Sequence, residues 1–364
     1  MNILFDYQIF VAQKFDGISR YFVDLITGVE MTAGFSANLE VVGNKNHYLP
    51  KSYLKEFSLL EKLKKYPSKM HKVLRKNQRI TFDLLEKADI DVFHPTYYDP
   101  YFVDRIKKPM IITIHDMIYE NFPHLFSPDE PIAYYKRLHI ERADHIIAVS
   151  QRTKEDILKY YPLDDSKITV VHHGIDLESS LYYQNIADLP QNYILYVGGR
   201  YGYKNFELLV QAFSVISSRY DDLKLVVTGS PFGMAEQELL FRNNVQDKIL
   251  ILSANDDQLN TLYKNALFFI YPSLYEGFGL PILEAYKNEC PVLLSKASCF
   301  PEVAAEAAAY FDPLSVESLM EQMELLLGSQ AFRNQLVKAG KAMLQNYSMK
   351  SCVNKTLDVY KSLL

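Results

Sequence analysis

Pro272-Ser273-Leu274-Tyr275-Glu276-Gly277-Phe278-Gly279-Leu280-Pro281-Ile282-Leu283-Glu284-Ala285 is the stretch on which the rest of the chain is read. It follows an apolar run of strand character, Leu267–Tyr271, and leads into a helical pattern that Pro281 is suited to begin. Gly277 and Gly279 let the backbone approach a ligand closely or adopt positive φ. The first N–H groups of a helix have no partner within it, so a phosphate is expected at this turn. Glu276 precedes the turn and can point at whatever the phosphate carries. Glu284 lies one helical turn in, where a bidentate acceptor suits the vicinal hydroxyls of a ribose. Bare strand–glycine–helix joints are common in α/β proteins; the two carboxylates at Glu-x7-Glu spacing set this one apart.

Working outward, the same alternation of short apolar runs and helical patterns fills the chain, which is the signature of parallel α/β layers. The first half predicts strands at 2–5, 39–42, 91–94, 110–114, 145–149 and 168–172. The second predicts them at 193–197, 224–228, 248–252, 267–271, 291–295 and 308–311. Ser127-Pro128-Asp129-Glu130 reads as a capping box. Phe206, Leu209, Val210, Phe213 and Ile216 form one apolar stripe, with Asn205 as the N-cap. The polar stretch 174–192 reads as a linker. The expected fold is therefore α/β, two doubly wound Rossmann-like domains whose strand ends face each other across a cleft that holds the site.

A chain of 364 residues suits two domains, and 48% hydrophobic with 23% charged residues is ordinary globular composition. Cys290, Cys299 and Cys352 are far apart, which fits a reducing compartment rather than a disulfide framework or zinc site. The N-terminus reads as a first strand rather than a secretory signal, and no apolar run approaches a bilayer span. A cytoplasmic protein is expected, peripheral at the inner face of the membrane if its basic segment meets lipid. That segment, Lys51–Arg79, holds ten Lys/Arg against Glu56 and Glu61, a charge of +8 in a chain of net −5. It is read either as a solvated helical face or as a patch for anionic headgroups or a diphosphate-linked acceptor. The acidic balance and the lack of a recognition motif argue against nucleic acid.

A second segment, Tyr196-Val197-Gly198-Gly199-Arg200-Tyr201-Gly202-Tyr203-Lys204-Asn205, ends a strand in glycines and places two cations before a helix. A guanidinium binds diphosphate bidentately and an ammonium adds a point charge, most of all as a leaving group departs. A third, Phe15-Asp16-Gly17-Ile18-Ser19-Arg20-Tyr21, follows the first strand and opens a helix. A fourth ends a buried strand in His115-Asp116. His94 also ends a strand and is expected on the acceptor side; His172 and His173 are expected to be structural. Asp256-Asp257 is read as the cap of a helix rather than as a metal-binding Asp-x-Asp.

The Glu276…Glu284 segment resembles the Glu-x7-Glu motif of retaining glycosyltransferases of family 4, which have the GT-B fold, and the likeness runs through nearly the whole chain. The resemblance implies residues 1–178 as an acceptor-binding domain, with a terminal helix at 348–364 packing back on it, and 179–347 as the nucleotide-sugar domain. It implies Glu276 on the donor sugar, Glu284 on the ribose, and the backbone of Phe278, Gly279 and Leu280 on the diphosphate with Arg200 and Lys204. Gly17 corresponds to a glycine loop over the donor phosphates, although Asp16 stands where many members have a second glycine. His115 is placed near the hexose, in a sugar-orienting or charge-stabilising role, with Asp116 on an acceptor hydroxyl or on the imidazole. The loop 252–254 would line the base.

The catalytic set implied is Glu276, His115, Arg200 and Lys204, with no metal and no cofactor beyond the nucleotide-sugar donor. Likeness to bacterial polysaccharide and O-antigen mannosyltransferases puts GDP-mannose first as donor and a glycan or lipid-linked oligosaccharide as acceptor. The alternatives are a UDP-hexose donor, a GT-B nucleotide-sugar epimerase, or a binding protein that has lost catalysis. A Rossmann dehydrogenase is disfavoured by the lack of Gly-x-Gly-x-x-Gly.

Overall fold

Short strands, most of them buried and apolar, form the parallel sheets of the computed structural model, which describes residues 1–15, 17–57, 68–87, 89–200 and 202–363. The chain divides into two compact units, Met1–His173 with Met349–Leu364, and Gly174–Ser348.

The second unit carries β9 (Tyr193–Tyr196), β10 (Lys224–Thr228), β11 (Ile249–Leu252), β12 (Phe268–Tyr271), β13 (Val292–Ser295) and β14 (Ala309–Phe311). They pair in parallel in the order β11-β10-β9-β12-β13-β14. Tyr193, Ile194, Leu195 and Tyr196 are all buried, so β9 needs cover on both faces and helices supply it. The predicted stripe does so: Phe206, Leu209, Val210, Phe213 and Ile216 share a core with Leu319, Met323 and Leu326 of the Val316–Gly328 helix. From β9 the chain builds outward first through β10 and β11, then in the other direction through β12, β13 and β14. Sheets of this kind bind ligands outside the strand C-termini where that direction reverses, here between β9 and β12.

The first unit has β1 (Asn2–Phe5), β2 (Ser36–Asn38) and β5 (Val92–His94) in the order β2-β1-β5, and β6 (Ile111–Ile114), β7 (His145–Ala148) and β8 (Ile168–Val170) in sequence. A single parallel bridge between Phe93 and Met110 joins the two sets, with Phe93 N–H donating to Pro109 O at 2.9 Å. The C-terminal helix Met349–Lys361 lies on the Gly17–Met31 helix. A Cβ on Gly28 would stand 2.5 Å from Val353 Cγ2, so only glycine permits this crossing.

Several elements differ from expectation. The strand expected over 39–42 is split, because Ser36–Asn38 pairs with β1 whereas β3 (Val41–Val42) pairs with β4 (Leu54–Lys55). Asn77 then takes both Val42 backbone groups at 2.8 Å. The Ser127–Glu130 capping box is a turn: Pro131 bars Glu130 from helical geometry, and the helix starts at Ile132. Asn205 occupies its N-cap with left-handed backbone, but its side chain donates to Pro313 O rather than capping. Asn255, reciprocally bonded with Gln258, caps the helix assigned to Asp256-Asp257, which fill its first turn. The expected linker and the 178/179 boundary also shift. Ile175 N–H donates to Tyr347 O, Lys287 Nζ to Asp176 O and Thr261 Oγ1 to Gln184 O, so the polar stretch is fastened along the second unit from Gly174 onward.

Part of the basic segment, residues 58–67, lies outside the described residues. Its remainder includes the Lys69–Leu85 helix, on which Lys69, Arg75 and Arg79 are exposed.

Candidate active site

The loops after β9 and β12 meet at the switch point of the second unit, where Leu274 N–H donates to Tyr203 O at 2.8 Å. A short 3-10 turn, Gly202–Lys204, delivers Lys204 into this junction. Its ammonium donates to Glu276 Oε1 at 2.6 Å, and the two side chains are only 14% and 10% exposed. The rings of Tyr203 and Tyr271 flank the same ammonium at 5.2 and 5.6 Å. Burial, and then the charge of Glu276, push the Tyr271 hydroxyl far above its ordinary range, so it stays protonated and donates to Glu276. The backbone of Glu276 is fixed as well. Its N–H donates to Ser298 Oγ at 3.3 Å, and the Ser298 hydroxyl donates back to Glu276 O at 2.7 Å. Ser298 holds this position with left-handed backbone at φ 52°, a strained conformation for serine.

Beyond Glu276 the turn runs through Phe278, whose ring is buried edge-on against Tyr347, to Gly279. Gly279 has φ 95° and is the N-cap of the Leu280–Lys287 helix, which has proline in its first turn. A Cβ there would lie 3.1 Å from Ile282 Cδ1 and 3.2 Å from Phe300 Cε1, on top of the strained φ. Glu284, one turn in and partly exposed, accepts from Tyr263 OH at 3.2 Å.

Arg200 is seated on a different carboxylate from Lys204. Its Nε donates to Glu236 Oε1, and its Nη2 donates to Glu236 Oε2 at 3.3 Å and to Ser230 O at 2.9 Å. The guanidinium lies over the rings of Phe232 and Phe206 at 4.9 and 6.0 Å. Burial pushes Glu236 upward, but the bonds from Arg200 and from Gly233 N–H outweigh it and hold the carboxyl below its ordinary value.

In the first unit Gly17 opens its helix, and His115 directly follows β6. The His115 ring is 7% exposed, stacks on His173 at 5.5 Å, and meets Tyr21 and Phe22 edge-on. Neither ring nitrogen has a hydrogen-bond partner among the described residues. Burial first, then His94 and Lys136, lower its pKa to about 3. The neutral ring can hold a hydroxyl, but it carries no charge with which to stabilise another. Asp116 does not fix this imidazole: its Oδ1 accepts from Ile118 N–H and pairs with the buried Lys136 at 3.6 Å. His94 does not face an acceptor. It is fully buried, bonded through Nδ1 to Tyr360 OH at 2.7 Å and through Nε2 to Thr113 Oγ1 at 2.9 Å, and so ties β5 to β6 and to the C-terminal helix.

Three residues that the motifs did not single out complete the picture: Tyr271, Ser298 and Glu236. Only Glu236 left a trace in the sequence, since it stands three residues after Gly233 at the spacing of a helix cap. Among the described residues no group of three or more His, Cys, Asp or Glu side chains is placed to hold a metal ion, and no helix is long and apolar enough to cross a membrane.

The second unit is a doubly wound sheet whose switch point is bridged by a lysine–glutamate pair, beside a glycine turn that opens a helix, and the chain has the GT-B fold of glycosyltransferases. Residues 184–343 match the family described as Glycosyl transferases group 1, and residues 33–179 match Glycosyltransferase Family 4. The chain belongs to these glycosyltransferases. It is similar to the O-antigen chain mannosyltransferase RfbU of Salmonella typhimurium, 29% identical over 203 residues, which is 56% of each chain. It is also similar to O-antigen chain mannosyltransferase B of Escherichia coli, 28% identical over 75% of this chain and 74% of that protein. In fold it matches the sucrose-phosphate synthase of Thermosynechococcus elongatus, with a TM-score of 0.75 at 19% identity over 100% of this chain and 98% of that one.

Proposed function

We propose that the protein transfers mannose from GDP-mannose onto a glycan or lipid-linked oligosaccharide, with retention at the anomeric carbon. The observation that carries this reading is the Lys204–Glu276 pair at the β9/β12 switch point. Each charge there is partnered by a group that a donor can replace: Lys204 turns to the diphosphate, and Glu276 is freed for the sugar hydroxyls. Arg200 and the amides of Phe278, Gly279 and Leu280 share the diphosphate charge, and Glu284 takes the ribose. With two cations and a helix start on the leaving group, no divalent ion is required, and a leaving-group oxygen accepts the acceptor's proton on the face of attack. Neutral His115 holds a hexose hydroxyl, and Gly17 lets the first unit's loop approach the donor phosphates. Support for mannose is the naming of the relatives at 28–29% identity as O-antigen mannosyltransferases. The first unit is assigned the acceptor, and its basic segment, peripheral contact with anionic lipid.

The test is transfer of labelled hexose from GDP-mannose and from UDP-hexoses to a lipid-linked oligosaccharide, with chelator present, by wild type and Glu276→Ala. Wild type should use GDP-mannose, and Glu276→Ala should lose about a thousandfold in rate, the scale for removing a charge-stabilising group from a dry site. Near-normal transfer by Glu276→Ala, or release of a free epimerised nucleotide sugar, would refute the assignment.

A further inference from the structure

We propose that Glu236 is a positioning residue for the donor diphosphate: by gripping one edge of Arg200 it presents the other, Nη1, to phosphate. This rests on the reading that Arg200 meets the diphosphate.

A guanidinium has five N–H donors in a fixed plane, so which edge is occupied decides which remains. Glu236 takes Nε and Nη2, and Ser230 O takes Nη2 again. Among the described residues Nη1 donates no hydrogen bond, although the Arg200 side chain is only 8% exposed. The N–H groups of Nη1 are therefore the ones left for an acceptor that a ligand supplies. The space before it is kept open by Gly229, with φ 128°, where a Cβ would stand 3.2 Å from Nη1. Glu236 is itself immobilised, three residues into the Met234–Arg242 helix, with Gly233 N–H donating to its Oε2 at 2.8 Å. Helix capping alone would engage only that oxygen, yet Oε1 is committed to Arg200. A carboxylate placed to compete with an anion would cover Nη1, and Glu236 covers the opposite edge.

The experiment is calorimetric titration of GDP and of UDP into wild type, Glu236→Ala, Glu236→Gln, Arg200→Ala and the Arg200→Ala/Glu236→Ala double variant. Glu236→Ala should weaken the preferred diphosphate about tenfold, and the double variant should be no weaker than Arg200→Ala, because coupled residues are not additive. Glu236→Gln keeps an acceptor for Gly233 and folds even if the alanine variant does not. It can accept from only one guanidinium N–H, and should lose about three- to fivefold. Additive losses in the double variant, or unchanged or tighter binding by either Glu236 variant while Arg200→Ala is weak, would overturn the inference alone. Wild-type binding by Arg200→Ala would overturn the diphosphate assignment itself.

Discussion

The two units each have a point where the direction of strand addition reverses, and they treat it in opposite ways. In the first unit the crevice between β1 and β5 is filled by the protein itself. Asp6 is fully buried there. Its Oδ1 accepts from Thr96 N–H and Thr96 Oγ1 at 2.9 and 2.8 Å, and its Oδ2 from Gln8 Nε2 and Tyr101 OH at 2.7 and 3.2 Å. β5 ends in neutral, buried His94, and neutral, buried His115 follows β6. In the second unit the equivalent place between β9 and β12 holds one ion pair, Lys204–Glu276, with Arg200–Glu236 beside it. A carboxylate held by neutral amide and hydroxyl donors alone is framework; one paired with an ammonium, as Glu276 is beside its bond from Tyr271, can exchange that cation for a ligand. Position in a sheet therefore nominates a site, and how its groups are already satisfied decides whether it is one.

Acid should separate the two ends most strongly. Burial lowers His94 and His115 to about 3 and His139 to about 4, against an unfolded value near 6.5. Between those limits the unfolded chain takes up protons that the folded one refuses, so stability falls as pH drops below about 6.5. Burial raises Asp6, against the hydrogen bonds from Thr96 and Gln8 that lower it, so its shift works in the opposite sense. Urea unfolding should show stability falling from pH 7 to pH 5, by about 2 kcal/mol for each histidine so sealed. Equal stabilities at the two values would mean that these histidines are not sealed. A smaller effect follows from Asp6→Ala, which strands the donors of Thr96, Gln8 and Tyr101. It should cost about 3 kcal/mol by the same method while leaving nucleotide affinity unchanged. A variant that kept its stability and lost the nucleotide would reverse the assigned roles of the two crevices.

Most of the sheet framework was legible because β9, β12 and their neighbours are buried on both faces and read as uninterrupted apolar runs. The stripe from Phe206 to Ile216 was legible for the corresponding reason at helical spacing. Capping was less so. Ser127–Glu130 has the right letters, but Pro131 overrides them, and Asn205 is drawn off by Pro313 O, over a hundred positions along the chain. Lys204 and Glu276, singled out from their motifs, lie paired at the β9/β12 junction, whereas Glu236, outside those motifs, meets Arg200 only when the loop after β10 folds against it. His94 shows the converse. Its place at a strand end suggested a ligand contact, but the partners that occupy both its nitrogens, Thr113 and Tyr360, come from β6 and from the distant C-terminal helix.

The claim that the second unit's ion pair is a nucleoside-diphosphate site is tested most directly by titrating GDP and UDP against thermal unfolding of wild type and Lys204→Met. Wild type should gain about 2.7 kcal/mol at a hundredfold excess of its preferred nucleotide over Kd. Lys204→Met should lose about 3 kcal/mol of intrinsic stability, because it leaves the buried Glu276 carboxylate without its ammonium, and at least about thirtyfold in affinity, the scale of a charge-assisted contact in a sheltered site. Full protection of Lys204→Met by either nucleotide would contradict the account.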